Sequence, residues 1–589
     1  MMVILPNVII QHILEYLLNC GSIKIDYLID FTKVYTLVSK QWNREIISKL
    51  RIDGYLYLSK QILKNGKIGQ WKDLAKRYKI DYRIKLTEYS DLEESLKEKV
   101  YSIKSLTSFN DEAFSSSYSN LKSIYFDFDK DSEYKKLYEY LSDSESNISK
   151  RLRENIELNI NHYGENGDEY DYPNNYNLHF SEILFNRNLF KEVFISNIYR
   201  LEYQRSTSDK NNLNTKLEEF TLYKADIDSD ALYHLLEISP NLKVLDIDQV
   251  KLFPKNDFTG VLEKISNSKF QYIEYLYLNL YSPVHYNSIV TLLNNIRSKD
   301  NNLLINGDIL YDSVDQVLKS EIDNKLITSF RFDIIDNRFS PGSDQLNNFS
   351  LFNVWKDKSQ LKTINMHLSI DLSNHLDSMI NLESITVIKD PRDPGRQEHE
   401  NISKILLLNI PSYTSLEFNS SAYFKHKDKA ISYTPIILSD ILLKNTSLTS
   451  FSINSMNTQE CISLITMQHP TITNLKLGTK PRSVEDWRDL VTTIRDNHTI
   501  THLQITGSYF NEDIQVYYNI FDSLIQILSV NRTLFSLKLP TEGELQSHHI
   551  QSFKEILKSN TVIKSITLPY SSDTEYLSLK NLFNKFAIN

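Results

Sequence analysis

A chain of 589 residues with 41% hydrophobic and 24% charged side chains has the composition of a folded soluble protein, and is several times longer than one compact core requires. Its 75 acidic residues against 66 basic ones, a net charge of -9, exclude the overall basic excess expected of a nucleic-acid or anionic-membrane binder. Thirteen glycines disfavour phosphate-cradling loops, and the two cysteines, Cys20 and Cys461, have neither disulfide-framework nor metal-ligand spacing.

The chain opens on an apolar segment that Pro6, Asn7, Gln11, His12 and Glu15 interrupt and that lacks the basic start of a signal peptide. No later apolar run is long enough to span a bilayer, so a cytoplasmic location is expected, with the nucleus also open. Leu5-Pro6 suits a first helical turn, and Ile9, Ile10, Ile13, Leu14 and Leu17 then lie on one helical stripe. Phe31, Val34, Leu37, Val38 and Trp42 form a second stripe. Residues 52–100 predict a helical connection or cap. Tyr55, Leu58, Ile62 and Leu63 share one face, and Trp71, Leu74, Ala75 and Tyr78 mark a short helix. Strand-like alternation begins near Ile84.

Residues 101–216 predict irregular repeats. Leu121-Ile124-Phe126 and Phe190-Val193-Ile195 read as strands, separated by a charged helical stretch and by an acidic, Tyr-rich loop over Tyr163–Tyr176. From 217 to 589 one frame recurs, with apolar residues at its first, fourth and sixth positions. It appears at Leu217-Phe220-Leu222, Leu242-Leu245-Ile247, Ile273-Leu276-Leu278, Ile327-Phe330-Phe332, Leu361-Ile364-Met366, Leu382-Ile385-Val387 and Tyr413-Leu416-Phe418. It continues at Leu448-Phe451-Ile453, Ile472-Leu475-Leu477, Ile500-Leu503-Ile505, Leu534-Leu537-Leu539 and Ile563-Ile566-Leu568. Asn445, Asn497, Asn531 and Asn560 each stand three residues before the first apolar position of their unit.

The fourth and sixth positions share one face of a strand, and the polar residue between them faces the other way. After one such strand, Trp487, Leu490, Val491 and Ile494 form a buried helical stripe, and Ser483 is placed to cap it. The Asn suits the end of a helix, where it can adopt a left-handed backbone. Each unit is therefore strand, connection, helix, Asn, next strand. Lys389–Glu400 reads as a loop inserted on one rim.

This pattern resembles the leucine-rich-repeat family. The resemblance implies a curved α/β solenoid with a parallel sheet on its concave face. It also departs from the family, which places Asn or Cys three residues after the second strand position. Ala225, Val250, Asp390, Met456, Lys480, Ser508 and Glu542 stand there instead, which predicts a less regular solenoid. The start of the chain, with Leu5-Pro6, Ile13-Leu14-Glu-Tyr-Leu17 and Val38-Ser-Lys-Gln-Trp42, resembles an F-box over residues 1–51. That resemblance implies a small helical unit that docks to a Skp1-like adaptor through Leu5, Pro6, Ile9, Ile13, Leu14, Val38 and Trp42. Without it, the same helices are a cap closing the end of the solenoid.

Catalytic signals are poor. His498-x-x-x-His502 lacks the Glu of a zinc protease helix, His548-His549 has no sequence partner at metal spacing, and there is no Gly-x-Ser-x-Gly. The expectation is a chain without enzymatic activity, cofactor, metal, nucleic-acid or membrane partner. Its binding surface falls on the sheet face, at Asp246, Tyr277, Arg331, Asn365, Glu417, Lys476, Gln504, Lys538 and Thr567. The implied function is that of a substrate receptor linking a target protein to a Skp1–cullin–F-box-type ubiquitin ligase. The alternative is a free-standing repeat scaffold or inhibitor.

Overall fold

The computed structural model describes residues 10–11, 14–15, 25–35, 40–58, 66–86, 92–105, 118–128, 131–143, 157–163, 184, 188–197, 201, 213–253, 257–266, 273–305, 308–334, 346, 349–366, 368, 375–388, 396–419, 438–479, 481, 483–506, 519–540, 544–567, 574–586 and 588. The chain divides into two compact units, Met1–Pro283 and Val284–Asn589.

The first unit starts with helices α1 (Ile25–Tyr35) and α2 (Lys40–Glu45). Parallel strands then stack in chain order: β1 (Arg51–Leu58), β2 (Asp81–Leu86), β3 (Val100–Ser105), β4 (Ser123–Phe128), β5 (Glu157–Tyr163), β6 (Phe190–Ser196) and β7 (Glu219–Tyr223). Strand β8 (Asp226–Asp228) pairs with the far end of β9 (Val244–Phe253), whose near end pairs with β7 on one side and β10 (Tyr275–Leu280) on the other. Helices α3 (Lys67–Tyr78), α4 (Glu94–Lys97), α5 (Asp131–Ser142), α6 (Ser229–Ile238) and α7 (Thr259–Ile265) connect the strands.

In the second unit β11 (Val284–His285) pairs with β13 (Ile309–Leu310) as a short side ladder. The main parallel sheet runs β12 (Asp300–Ile305), β14 (Ser329–Ile334), β15 (Thr363–Met366), β16 (Ser384–Val387), β17 (Ser415–Phe418), β18 (Ser450–Met456), β19 (Asn474–Thr479), β20 (His502–Thr506), β21 (Ser536–Lys538) and β22 (Ser565–Thr567). The helices are α8 (Tyr286–Asn295), α9 (Val314–Lys319), α10 (Leu351–Val354), α11 (Arg396–Leu406), α12 (Leu438–Leu442), α13 (Thr458–Thr466), α14 (Val484–Asp496), α15 (Ile520–Val530), α16 (Ser547–Ser559) and α17 (Thr574–Lys585). From α11 onward each helix packs on the next. Repetition of strand and helix in register makes an α/β repeat solenoid of the kind the frame implied.

The frame works as its spacing requires. Fourth-position residues stand in one cross-strand row, Phe330–Ile364–Ile385–Leu416–Phe451–Leu475–Leu503–Leu537–Ile566, and none is more than 4% exposed. Burial of each such side chain contributes about 1.5–3 kcal/mol. Trp487, Leu490, Val491 and Ile494 bury the inner face of α14, and Ser483 Oγ accepts the Asp486 N–H at 3.0 Å as its cap. The Trp487 indole donates to Ser523 Oγ of α15 at 2.8 Å, so one helix is fixed to the next by a buried polar contact.

The recurring Asn has a different job from the one its sequence position suggested. Asn497, Asn531 and Asn560 have φ of -78°, -65° and -91°, so none is left-handed. Each side chain is buried and ties its repeat to the preceding one. Asn531 Nδ2 donates to the carbonyls of Ile494 (3.0 Å) and Asn497 (2.8 Å), while its Oδ1 accepts the N–H groups of Thr533 (2.9 Å) and Leu534 (3.0 Å). Asn560 reaches Leu528 and Asn531 in the same way, Asn497 reaches Ile465, and Asn445 reaches Leu406 and Leu408. Asn324 does so before Ile327. In the repeat starting at Ile472 the position is His469. Its Nδ1 accepts from Thr471 and Ile472 N–H, and its Nε2 donates to the Leu442 carbonyl at 2.9 Å. A ladder thus exists, at the start of the strand instead of after it. Asn241 and Asn381, directly before their strands, add a second link to the Thr215 and Ser359 carbonyls.

Four expectations need correction. Residues 51–58 are a strand paired with β2, so the sheet begins at Arg51 and not at Ile84, and the segment read as a helical connection contributes β1 and β2. Strand β5 lies between the two strands expected in residues 101–216, where only a helical stretch and a loop were expected. Strand β12 escaped notice because polar Ser298 and Asn301 occupy its first and fourth positions, where both are buried at 0% and 1% exposure. The loop expected over Lys389–Glu400 is helical from Arg396. At the turn position after the strand, Ala225, Val250 and Met456 are buried, so apolar packing stands where the family has a hydrogen-bonding residue. Asp390, Lys480, Ser508, Glu542 and the Tyr163–Tyr176 loop beyond Tyr163 lie outside the described residues.

Candidate functional site

The residues between the fourth and sixth frame positions point away from the helices, and the strand register brings them together. In the second unit they form one row: Asn302–Arg331–Asn365–Thr386–Glu417–Ser452–Lys476–Gln504–Lys538–Thr567. The expected Arg331, Asn365, Glu417, Lys476, Gln504, Lys538 and Thr567 are all members. Asn302, Thr386 and Ser452 complete the row. Thr386 and Ser452 follow from the same rule, whereas Asn302 was hidden with its strand.

Nearest neighbours lie about 4.8 Å apart across a sheet, so the row is a continuous polar stripe. Arg331, Glu417, Lys476 and Lys538 form no ion pair among the described residues. Arg331 Nε, Asn365 Oδ1 and Ser452 Oγ are shielded from solvent and meet no protein hydrogen-bond partner. Polar atoms left in that state cost stability until water or a partner satisfies them.

In the first unit three such rows cross β6, β7, β9 and β10. They are Glu192–Glu219–Val244–Tyr275, Phe194–Thr221–Asp246–Tyr277 and Ser196–Tyr223–Asp248–Asn279. Asp246 and Tyr277, expected on this face, are direct cross-strand neighbours. Burial first, and then the Asp248 carboxylate, push the Asp246 carboxyl up to about 6. Its Oδ1 meets no donor. Asp248 is instead held by Asn279 Nδ2 at 2.6 Å. Burial, reinforced by Glu219, also raises the Glu192 carboxyl.

Farther toward the start of the unit the face is basic and aromatic. Lys85 Nζ sits 3.9 Å from the centre of the Tyr125 ring, and Lys104 pairs with Asp127 at 3.0 Å. Burial, and then the nearby Lys104 charge, lower the Lys85 pKa.

Of the residues expected to touch an adaptor, Leu5, Pro6, Ile9, Ile13 and Val38 lie outside the described residues. Leu14 is buried, in the core and not on a free surface, and Trp42 falls within α2. The sequence offers no partner at metal spacing for His548-His549; the fold supplies one in Asp522 of α15. The three groups are close enough to surround a cation, but their hydrogen bonds assign another role. His549 Nδ1 accepts the Gln546 N–H at 2.9 Å, which places the ring proton on Nε2, 3.0 Å from Asp522 Oδ1. A metal on Nε2 would require a proton on Nδ1 and would break that helix cap. The cluster reads as a helix start fastened to the preceding helix. No helix among the described residues is long and apolar enough to cross a membrane.

No family model and no curated protein matches this chain. Among solved structures it is similar to Leiomodin-1 actin-binding site 2, at 14% identity and a TM-score of 0.20, over 33% of this chain and 91% of that one. It is also similar to the Rad7 and Elc1 complex in yeast, at 11% identity and a TM-score of 0.25, over 87% of this chain and 90% of that one. At these scores neither likeness fixes a function.

Proposed function

We propose that this chain is a non-catalytic substrate receptor, which holds a target protein on its sheet face and joins a Skp1–cullin–F-box-type ubiquitin ligase through its N-terminal helices. The observation that carries the binding half is the polar row from Asn302 to Thr567, with both charge signs and with polar atoms that have no partner inside the fold. Mixed donors, acceptors and charges on a long rigid surface suit a polypeptide more than a small molecule. A receptor needs no bond chemistry of its own; it raises the concentration of the target beside a conjugating enzyme. The adaptor half rests on the F-box-like motif, and cytoplasmic or nuclear location follows from that role.

A second reading, the free-standing scaffold, has its own observation. Helix α1 packs against α3, with Leu28 and Trp71 fully buried, as a cap on the start of the sheet would. Affinity capture separates the two. The receptor reading expects the full chain to retain a Skp1-like adaptor from a cytosolic extract. It also expects Leu5→Asp combined with Pro6→Ala to abolish retention at an almost unchanged thermal midpoint. Failure to retain the adaptor, or unfolding of the double variant, leaves the scaffold reading in place.

A further inference from the structure

The face of β6, β7, β9 and β10 differs in chemistry from the row in the second unit. Its three rows hold four carboxylates, Glu192, Glu219, Asp246 and Asp248, and no lysine or arginine. Of the neighbouring cations, Lys85 acts on Glu192 from a distance while its Nζ sits over the Tyr125 ring, and the others are committed elsewhere. Lys191 pairs with Glu157 at 3.3 Å, Lys243 with Glu218 at 3.0 Å, and Lys224 lies 5.0 Å from the centre of the Tyr223 ring. Glu192 and Glu219 are directly opposite each other, an arrangement that costs stability unless something cationic covers it. Asp246 is flanked across the sheet by Tyr277 and diagonally by Tyr275, and aromatic faces attract lysine and arginine as carboxylates do.

We propose that this face docks a basic peptide segment of a partner protein, with one lysine or arginine side chain seated at Asp246 beside Tyr275 and Tyr277 and a second cation at Glu192 and Glu219. The proposal deepens the reading of the sheet face as the partner-binding surface and rests on that reading. It does not depend on adaptor docking.

Protons compete with the partner's cation at Asp246. The other titratable groups flanking it are Asp248 on its own strand, Glu219 and Tyr223 on β7, and Tyr275 and Tyr277 on β10. Only carboxylates titrate below neutrality, so binding must weaken as pH falls. With Asp246 titrating near 6 in the free protein, a drop from pH 7.5 to 5.5 weakens binding about fourfold through that group alone.

The test uses the full chain at 0.15 M salt and a fluorescent 12-residue peptide alternating Lys or Arg with Ser, against an acidic peptide of the same length. Fluorescence anisotropy should show binding of the basic peptide only, weakening at pH 5.5. Asp246→Asn should weaken it about tenfold and Glu219→Gln about threefold, each removing one charged contact. Asp489→Asn, on helix α14 of the other unit, should leave it unchanged. Glu219 is exposed, so its variant folds even where Asp246→Asn does not. Equal weakening by Asp489→Asn, no weakening by the two face variants, or binding that improves at pH 5.5 would each overturn the proposal. So would failure of the basic peptide to bind. If the basic peptide fails to bind while charge reversals at Lys476 and Lys538 still release a captured target, the general reading survives and this inference alone falls.

Discussion

Asn531→Ala tests the repeat-to-repeat ladder most directly. The substitution removes an amide that donates to the Ile494 and Asn497 carbonyls, and at 3.5 Å to that of Arg495, and that accepts from Thr533 N–H, Thr533 Oγ1 and Leu534 N–H. Two of the carbonyls it abandons keep other donors: Ile494 O accepts the Asn497 N–H, and Asn497 O accepts Thr533 Oγ1 at 3.3 Å. The N–H groups of Thr533 and Leu534 have no such substitute, and Leu534 is 2% exposed. The buried Leu534 N–H, stranded at about 1–3 kcal/mol, and the half-buried Thr533 N–H at the lower end of that range give a cost of about 2–5 kcal/mol. Asn531→Asp keeps the acceptor arm but turns a carboxylate toward two carbonyls, so at neutral pH it should cost at least as much. Asn531→His should recover about half, because His469 already performs both duties two repeats earlier in the array. Urea unfolding followed by hydrogen exchange of the β20–β22 amides reads the effect locally. An Ala variant within about 1 kcal/mol of the parent, or an Asp variant as stable as Asn, would refute the reasoning.

Leu503→Ala should destabilise its region by about 2–5 kcal/mol in the same urea assay, as a buried large-to-small change does; an unchanged midpoint would mean that the fourth frame position is misread. Gly478→Ala should cost about 1–3 kcal/mol or more, because a methyl group there would sit 1.9 Å from the Asn454 carbonyl oxygen, a backbone atom that cannot rotate aside; a crystal structure of the variant with β18 and β19 unmoved would contradict this. His469 is held below its ordinary pKa by burial, despite the opposing pull of the Leu442 and Asn445 carbonyls. Its folded pKa is therefore lower than its unfolded one. Its contribution to stability is complete above about pH 6.5 and is lost as pH falls below that value toward the depressed folded pKa. Asp246 has the opposite sign, since its raised carboxyl is relieved by protonation, so the measurement is the difference between the parent and His469→Asn at pH 7.5 and 5.0; a parallel loss in both would exclude His469 as the cause.

How much was legible follows from where the chain repeats its chemistry. Phe451, Leu475, Leu503, Leu537 and Ile566 could be aligned from letters alone, because burial of one strand face admits few residue types. Strand β12 could not, since polar Ser298 and Asn301 stand at buried frame positions: Ser298 Oγ donates to the Asp300 carbonyl and Asn301 Nδ2 to that of Ser298, while Asn301 Oδ1 meets no protein partner. Strand β1 was mistaken for helix because Tyr55, Leu58 and Ile62 fit a spacing of three and four as well as alternation. Its parallel partner at Asp81–Leu86 decides, and a partner is a long-range fact. The Asn positions were found by their spacing, but their mechanism lay in carbonyls some 30 residues upstream. Most sheet-face residues followed from the frame, though Thr386 and Ser452, which the same rule places in the row, were not among those expected. Glu192 and Glu219 were missed because they lie one row away from the residue between frame positions.

The ladder also has a direction. Each Asn, or His469, reaches back to carbonyls of the preceding repeat. On a ribosome the N-terminal repeats emerge first, at roughly 5–20 residues per second. A newly made repeat from Asn445 onward therefore meets acceptors that are already in place, and none of these contacts waits for sequence still to be translated. Assembly of this part of the chain can keep pace with synthesis, each turn laid on a finished surface.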